Sequence, residues 1–310
     1  MIRTLIIIAV TYNSRNEIET FLRSLDEIAP KLGQAGIIVE TRIVDNNSSD
    51  GTIQFLSSLD PSLASRLKIG VILNHHNVGL SIATNNELGN LRGDLVLLCN
   101  PDIIFTSDAL QLIEMADLFP NHGITPELYN FDGTIQRTIY RRFPTVARIA
   151  ADFTVSGRLL SRVFPWIRND YLYRNHKFRS PVDYVDQPGA VCLLLRLSDA
   201  KRIKPFFDPA FPVLWNDVDM ALRARQLGIR FLVATDAKIY HSHAHSMKRT
   251  EKTLVTKLFY SSLGLMGFSR KWKLHPSILQ VILFLDAVLA FVLFRAFGRD
   301  VLNRFRFSLQ

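Results

Sequence analysis

Short runs of Ile, Val and Leu recur through the first third of the chain, at Thr4–Val10, Ile37–Val44, Leu67–Leu73 and Leu95–Cys99. None alternates cleanly between apolar and polar residues, which is the pattern of strands buried on both faces. Helical patterns separate them: Asn16–Leu32 closing at Gly33, Thr52–Leu59 before Pro61, and Leu80–Leu91. A further helix over Ser107–Phe119 stops at Pro120. Strand and helix in alternation predict an α/β fold, a mostly parallel central sheet flanked by helices. Such a sheet binds its ligand beyond the carboxyl ends of its strands. Those ends read Thr11-Tyr12-Asn13, Asp45-Asn46-Asn47, Asn74–Asn77 and Asn100-Pro101-Asp102. Asn and Asp serve turns anywhere, but polar ends on every strand point to a site.

Composition narrows the classes. With 48% hydrophobic and 21% charged residues, the chain is too apolar for a disordered protein. Its 15 Gly, 13 Pro and 2 Cys exclude collagen-like and disulfide-scaffold folds. Cys99 and Cys192 each lie in an apolar run and read as buried, reduced thiols. A net charge of +9 implies attraction to nucleic acid, phospholipid or a phosphorylated substrate. The sequence contains neither G-x-x-x-x-G-K-[ST] nor G-x-G-x-x-G, which argues against P-loop and dinucleotide-binding enzymes. Arginines crowd residues 137–179, opposed only by Asp152 and Asp170. The run is either a solvated surface or a face for anionic lipid or pyrophosphate.

Beyond Val185 the α/β signals resume. Gly189–Arg196 reads as a strand, Asn216–Leu227 as a helix closed by Gly228, and Ile229–Ala234 and Ala237–Tyr240 as two further strands. Three constellations carry chemistry. In Val44–Thr52 a strand ends in Asp45, which can accept hydrogen bonds from a base edge or ribose, while Ser49 or Asp50 can cap the next helix. In Asn100-Pro101-Asp102 a carboxylate suits a hard divalent cation that bridges phosphate oxygens, although the same tripeptide makes a common turn. In Trp215-Asn216-Asp217-Val218-Asp219 two carboxylates open a helix, where its dipole favours the ionised form. Trp215 beside them suits a sugar ring. His241, His243 and His245 share one face of an extended segment. Zinc chelation and plain structural roles both remain open for them.

Taken in order, these segments resemble family 2 glycosyltransferases of the GT-A fold, with bacterial rhamnosyltransferases and galactofuranosyltransferases nearest in pattern. The resemblance rests on Ile8–Asn13, on Val44–Thr52, and on Asn77, Gly79, Ala83 and Asn85. It continues through Asn100–Asp102, Gly189–Arg196, Phe207–Phe211, Asn216–Asp219 with Arg223, and Ile239–His241. Asn216 stands where the family has an acid, and Asn100 replaces the first acid of its D-x-D motif. The resemblance implies that Thr11, Tyr12, Asn13 and Asp45 hold a nucleotide, and that Asn77, Gly79, Asn100 and Gly189 complete the nucleotide-sugar site. It makes Asp102 and His241 ligands of Mg²⁺ or Mn²⁺, and Asp217 the catalytic base. Trp215, Asp219 and Arg223 then shape the acceptor pocket or hold the motif in place.

The implied activity is inverting transfer of a sugar, L-rhamnose as the best choice, from a nucleotide-diphosphate donor. The acceptor is a glycan or polyprenyl-linked glycan of bacterial cell-surface polysaccharide synthesis, and nucleic acid is not an expected partner. A metal-dependent hydrolase using His241, His243 and Asp217 is the competing class, and a silent sugar-nucleotide-binding relative is a third. The expected division is a catalytic domain over 1–246, with a nucleotide-binding half (1–120) and an acceptor half (121–246), and an appendage over 247–310. From Met247 the appendage reads as basic and helical before it turns apolar. Thr4–Val10 is too short for a secretory signal core and reads as a strand. Ile278–Phe294 makes a helix about 26 Å long, against a hydrocarbon core of about 30 Å. It carries Asp286 at its middle and is flanked by Arg270, Lys271, Lys273, Arg295, Arg299, Arg304 and Arg306. The expectation is an interfacial helix on an anionic membrane surface, at the cytoplasmic face of the inner membrane. The alternative is a helix packed on the protein.

Overall fold

The structure, a computed structural model, describes residues 3–211, 214–242 and 264–297. His243, His245, Arg299, Arg304, Arg306 and the beginning of the basic appendage lie outside the described residues. In chain order the elements are β1 (Arg3–Thr11), α1 (Arg15–Gln34), β2 (Ile37–Asp45), α2 (Thr52–Ser57), α3 (Pro61–Arg66), β3 (Ile69–Leu73), α4 (Gly79–Asn90), β4 (Leu95–Cys99), β5 (Ile103–Ile104), α5 (Leu110–Leu118) and β6 (His122–Tyr129). They continue with α6 (Val146–Phe153), α7 (Val155–Val163), α8 (Trp166–Tyr171), β7 (Val182–Val185), β8 (Cys192–Arg196), α9 (Leu197–Arg202), α10 (Asn216–Gln226) and β9 (Arg230–His241). A helix over 264–271, α11, and α12 (Pro276–Phe297) follow.

Two compact units divide the chain: Met1–Gln136 with Phe178–Lys252, and Arg137–Lys177 with Thr253–Gln310. The arginine-rich stretch thus groups with the C-terminal helices, whereas the sequence reading placed it in the acceptor half.

The first unit holds a nine-stranded sheet in the order β3-β2-β1-β4-β8-β6-β9-β5, with β7 beside β9. β3, β2, β1 and β4 are parallel, as the alternating pattern demands. β8 enters antiparallel between β4 and β6, and β5 and β7 run antiparallel to β9, so the other half is mixed. β1 and β4 are buried along nearly their whole length. α1 brings Ile18, Phe21, Leu22, Leu25, Ile28 and Leu32 onto one buried face at helical spacing. Each such side chain contributes about 1.5–3 kcal/mol on burial. Cys99 and Cys192 face one another across the β4–β8 pair, buried and unbridged.

Two strand expectations change. The strand after Pro188 begins at Cys192, so Gly189 lies in the buried loop before it. The two late strands are one, β9, whose register against β6 shifts between Pro126 and Glu127. The irregularity absorbs the break read from Thr235-Asp236, and a proline is tolerated where a ladder bond is missing.

In the second unit α6, α7 and α8 are wired by their own charges. Asp170 accepts from Arg142 Nε and Arg148 Nη2, both at 2.7 Å, and Asp152 accepts from Arg168 Nε at 2.8 Å. Partial burial pushes the Asp170 carboxyl up, but the two guanidinium hydrogen bonds outweigh it and leave the group below its ordinary value. Burial pushes the Tyr171 phenol up to about 12. Much of the arginine run is therefore internal structure.

α6 and α7 meet so closely that a Cβ at Gly157 would run into the Ala150 carbonyl. Asp286 of α12 closes the other side. Its carboxylate accepts from Val155 N and Ser156 N at 2.8 Å and from Ser156 Oγ at 2.7 Å. These are first-turn groups of α7 that no intrahelical bond satisfies. Asp286→Ala removes both acceptor oxygens and with them all three hydrogen bonds, so we expect a loss of about 1–2 kcal/mol in the unfolding of this unit. Faster amide exchange at Val155 and Ser156 would accompany it. Unchanged exchange at both amides would contradict this.

Candidate active site

Three strand ends are tied into one polar surface. Asp45, at the carboxyl end of β2, is fully buried. Its Oδ2 accepts from Thr11 Oγ1 at 2.8 Å and Ser48 Oγ at 2.5 Å, and its Oδ1 accepts from Ser48 N at 2.8 Å. Asn13 adopts a left-handed backbone (φ 53°), as Asn does more readily than bulkier residues. It donates its N–H to Ser48 Oγ and accepts Ser49 N on Oδ1, both at 2.8 Å. Asn74 Nδ2 donates to Asn46 Oδ1 at 2.8 Å, which adds the end of β3. Tyr12 projects from this loop with its ring 47% exposed. The N-cap of α2 is Gly51, one residue past the expected Asp50, but Asp50 still serves two helix starts: one oxygen accepts Thr52 N, the other Arg15 N, both at 3.1 Å.

The second cluster lies where β5 pairs with β9, which sets Ile103 opposite His241. Asp102 precedes β5 and His241 ends β9, so the sheet register brings the two expected metal ligands together. His241 Nε2 stands 3.2 Å from Asp102 Oδ1, and both side chains are buried. Ser242 N donates to the Asp102 carbonyl at 3.0 Å, which locks the approach.

Gln136, a residue the sequence reading missed, fixes the ring. Its Nε2 donates to the His241 carbonyl and to Asn130 Oδ1, each at 2.7 Å. A carbonyl only accepts, so the amide nitrogen must face that way. Gln136 Oε1 is left 2.8 Å from His241 Nδ1, and Nδ1 must therefore carry the proton. Nε2 then faces a carboxylate oxygen, Asp102 Oδ1, which has no hydrogen-bond donor among the described residues. Two lone pairs at this distance call for a proton or a cation between them. This donor chemistry fits a divalent ion, and an imidazole whose other nitrogen donates to a fixed oxygen is a common ligand arrangement. Among the described residues no group of three or more His, Cys, Asp and Glu forms a metal site. Phosphate oxygens would have to complete the coordination.

The third cluster hangs on α4 and α10. Asn77 Oδ1 accepts Gly79 N at 2.9 Å at the start of α4, where Gly79 takes a positive φ of 81°. Further along, Asn85 makes two bonds to Phe207, Nδ2 to its carbonyl at 2.7 Å and Oδ1 from its N–H at 2.9 Å. Arg223 of α10 holds the same loop. Its Nε donates to Asp219 Oδ2 at 2.9 Å, Nη2 to the Phe206 carbonyl at 3.0 Å, and Nη1 to the Pro205 carbonyl. Asp219 is fully buried and Trp215 is 8% exposed, so both face the protein interior. The structure thus puts Asp219 and Arg223 in the framework of the motif. Trp215, in a left-handed conformation, opens α10 with its carbonyl accepting Asp219 N at 3.0 Å. Asn216, standing where an acid was expected, accepts Asp217 N on Oδ1 at 2.9 Å, a task an amide oxygen performs as well as a carboxylate. Asp217 remains half-buried in the first turn of α10. Asn100 is half-buried after β4, its N–H donating to the Val191 carbonyl at 2.8 Å.

Comparisons with known proteins bear on the family and the fold. The family model described as "Glycosyl transferase family 2" matches residues 6–184. N-acetylglucosaminyl-diphospho-decaprenol L-rhamnosyltransferase of Mycobacterium tuberculosis is 26% identical over 259 residues, covering 78% of this chain and 77% of that protein. Among solved structures, GalNAc-T7 with UDP, GalNAc and Mn2+ superposes with a TM-score of 0.57 at 12% identity, over 78% of this chain and 44% of that one. S. aureus TarS 1-349 with UDP-GlcNAc gives 0.53 at 16% identity, over 81% and 62%. The mannosyltransferase PcManGT of Pyrobaculum calidifontis with GDP-Man and Mn2+ gives 0.51 at 13% identity, over 93% and 76%. At these identities the structures speak for the fold alone. With the family model covering more than half of the sequence and the sheet matching those transferases, the chain belongs to glycosyl transferase family 2 and is a glycosyltransferase of the GT-A fold.

Proposed function

We propose that this enzyme transfers L-rhamnose, with inversion, from a nucleoside-diphosphate donor to a polyprenyl-linked glycan at the cytoplasmic face of the inner membrane. The buried Asp102–His241 pair carries the chemical part of this reading, because its two facing acceptor atoms suit a cation, and a cation there would serve a departing diphosphate. The sugar and the acceptor rest on the name of the mycobacterial relative.

In this reading Tyr12 offers its exposed ring to the base, while Thr11, Asn13 and Asp45 hold the loop that carries it. Asn77, Gly79, Asn100 and Gly189 line the sugar diphosphate. Asp102 and His241 would hold Mg²⁺ or Mn²⁺, and a cation there neutralises charge on the departing diphosphate. Asp217 takes the proton of the acceptor hydroxyl as that oxygen bonds to the anomeric carbon. The bond from the anomeric carbon to the diphosphate breaks, and its electron pair leaves with the nucleotide. Asp219 and Arg223 keep Asp217 in place through α10 and the 205–206 loop.

A thermal-shift screen of nucleotide sugars with manganese tests the donor, with deoxythymidine-diphosphate-rhamnose expected to stabilise most. Release of nucleoside diphosphate only when acceptor is present supports transfer, and equal release without acceptor would favour the hydrolase. Asp217→Asn should cut turnover by about two to four orders of magnitude and leave donor binding intact. Near-full turnover in Asp217→Asn together with loss in Asp219→Asn would move the base by two residues. Chelator should abolish turnover and manganese restore it. Asp102→Ala should weaken manganese binding in calorimetry, and Gln136→Leu should do so by about 10–100-fold. Full activity in excess chelator would remove the cation from the mechanism.

A further inference from the structure

α12 is amphipathic with the usual sides exchanged. Its packed face carries Leu279, Ile282, Leu283 and Leu289, and also the helix's one carboxylate, Asp286, spent on the start of α7. The outward face carries Val281, Phe284, Leu285, Val288, Phe291 and Val292, between 46% and 68% exposed. At 100° per residue these six fall within an arc of roughly a third of the helix. A helix of a soluble unit normally turns its charge outward and its apolar stripe inward, so an outward apolar stripe of this length marks a contact surface.

The same unit exposes a second apolar feature. Between α7 and α8 the chain turns through Phe164-Pro165-Trp166-Ile167, with Trp166 60% exposed and its ring edge-on to Phe164 at 5.0 Å. Val163, just before, is 69% exposed. Cations border the α12 stripe at both ends. Arg270, Lys271 and Lys273 are exposed ahead of Pro276, and Arg295 is exposed at the far end. Apolar side chains between basic ends, with an exposed tryptophan in the same unit, match the acyl and headgroup layers of an anionic membrane surface. Asp286 settles the orientation, since its carboxylate faces protein and leaves only one side of α12 for lipid. Among the described residues no helix is long and apolar enough to cross a membrane.

We propose that the second unit docks on an anionic bilayer surface through the outward stripe of α12 and the Phe164–Ile167 corner, with the helix lying in the interface. The choice of a bilayer over another partner rests on the membrane reading above, whereas the surface itself does not depend on sugar transfer. It also gives the apolar residues of the arginine-rich segment a role that the sequence alone did not reveal.

Co-sedimentation of the full-length protein with vesicles tests this, comparing phosphatidylcholine alone with an equal mixture of phosphatidylcholine and phosphatidylglycerol. We expect binding to the anionic vesicles, weakened by salt, with a blue shift of tryptophan emission that Trp166→Ser abolishes. Leu285→Ser with Val288→Ser should lower the partition coefficient at least about tenfold, because each loses a buried aliphatic contact. Unfolding temperature and donor binding should stay as in the parent, which separates lost docking from lost folding. Absence of vesicle binding by the parent, or equal binding by the double variant, would overturn the proposal. A dimer broken by the same substitutions, without vesicle binding, would overturn it in favour of a second copy. Loss of donor binding with vesicle binding retained would sink the transfer reading and leave this surface standing.

Discussion

An imidazole nitrogen and a carboxylate oxygen face one another 3.2 Å apart, and both are buried. Neither can turn away. The histidine closes β9 in register with β5, and its other nitrogen is committed to Gln136. Gln136 is committed in turn, because a main-chain carbonyl takes its amide hydrogens. Such an arrangement costs stability, since a buried acceptor goes without a donor. The sheet register maintains it regardless.

Carboxylates elsewhere show how one chemical group divides into several tasks according to burial. Asp45 is fully buried and saturated by Thr11 and Ser48, so it shapes the loop after β2. Asp219 is fully buried against Arg223, which carries its hold on to the 205–206 loop. Asp286 satisfies the first amide donors of α7 and so lets an apolar helix pack by its one carboxylate. Asp217 sits half-buried in the first turn of α10. For Asp45, Asp219 and Asp286 an oxygen meets either a backbone donor or a guanidinium, and the fold uses the strength of charge-assisted bonds to fix loops.

The parallel half of the sheet was legible in the sequence because β1 and β4 are buried on both faces and are therefore almost purely aliphatic. Asp102 stood out by its place after β4 and His241 by the family resemblance, but their proximity is a product of β5–β9 pairing that no local pattern encodes. β6 was hidden by Gly123 and Pro126, which read as breakers and sit at a tight contact with Phe231 and at a register shift. Gln136 carried no signal, since a lone glutamine before an arginine-rich run looks like surface. The helices over 146–171 were obscured by that same charge, which in the structure is spent on Asp152 and Asp170. Asp286 read as a penalty for membrane insertion, and its role as a latch depends on a partner more than a hundred residues away.

Gln136 holds His241 with a proton on Nδ1 and turns Nε2 to Asp102. Long-range ¹H–¹⁵N spectra of the imidazole groups test this directly. Nδ1 of His241 should carry a proton in the free protein, held on Gln136 Oε1. On adding Mg²⁺ with nucleoside diphosphate, the Nε2 resonance should move while Nδ1 stays protonated. A ring protonated on Nε2 alone, or an Nε2 resonance indifferent to the cation, would contradict it.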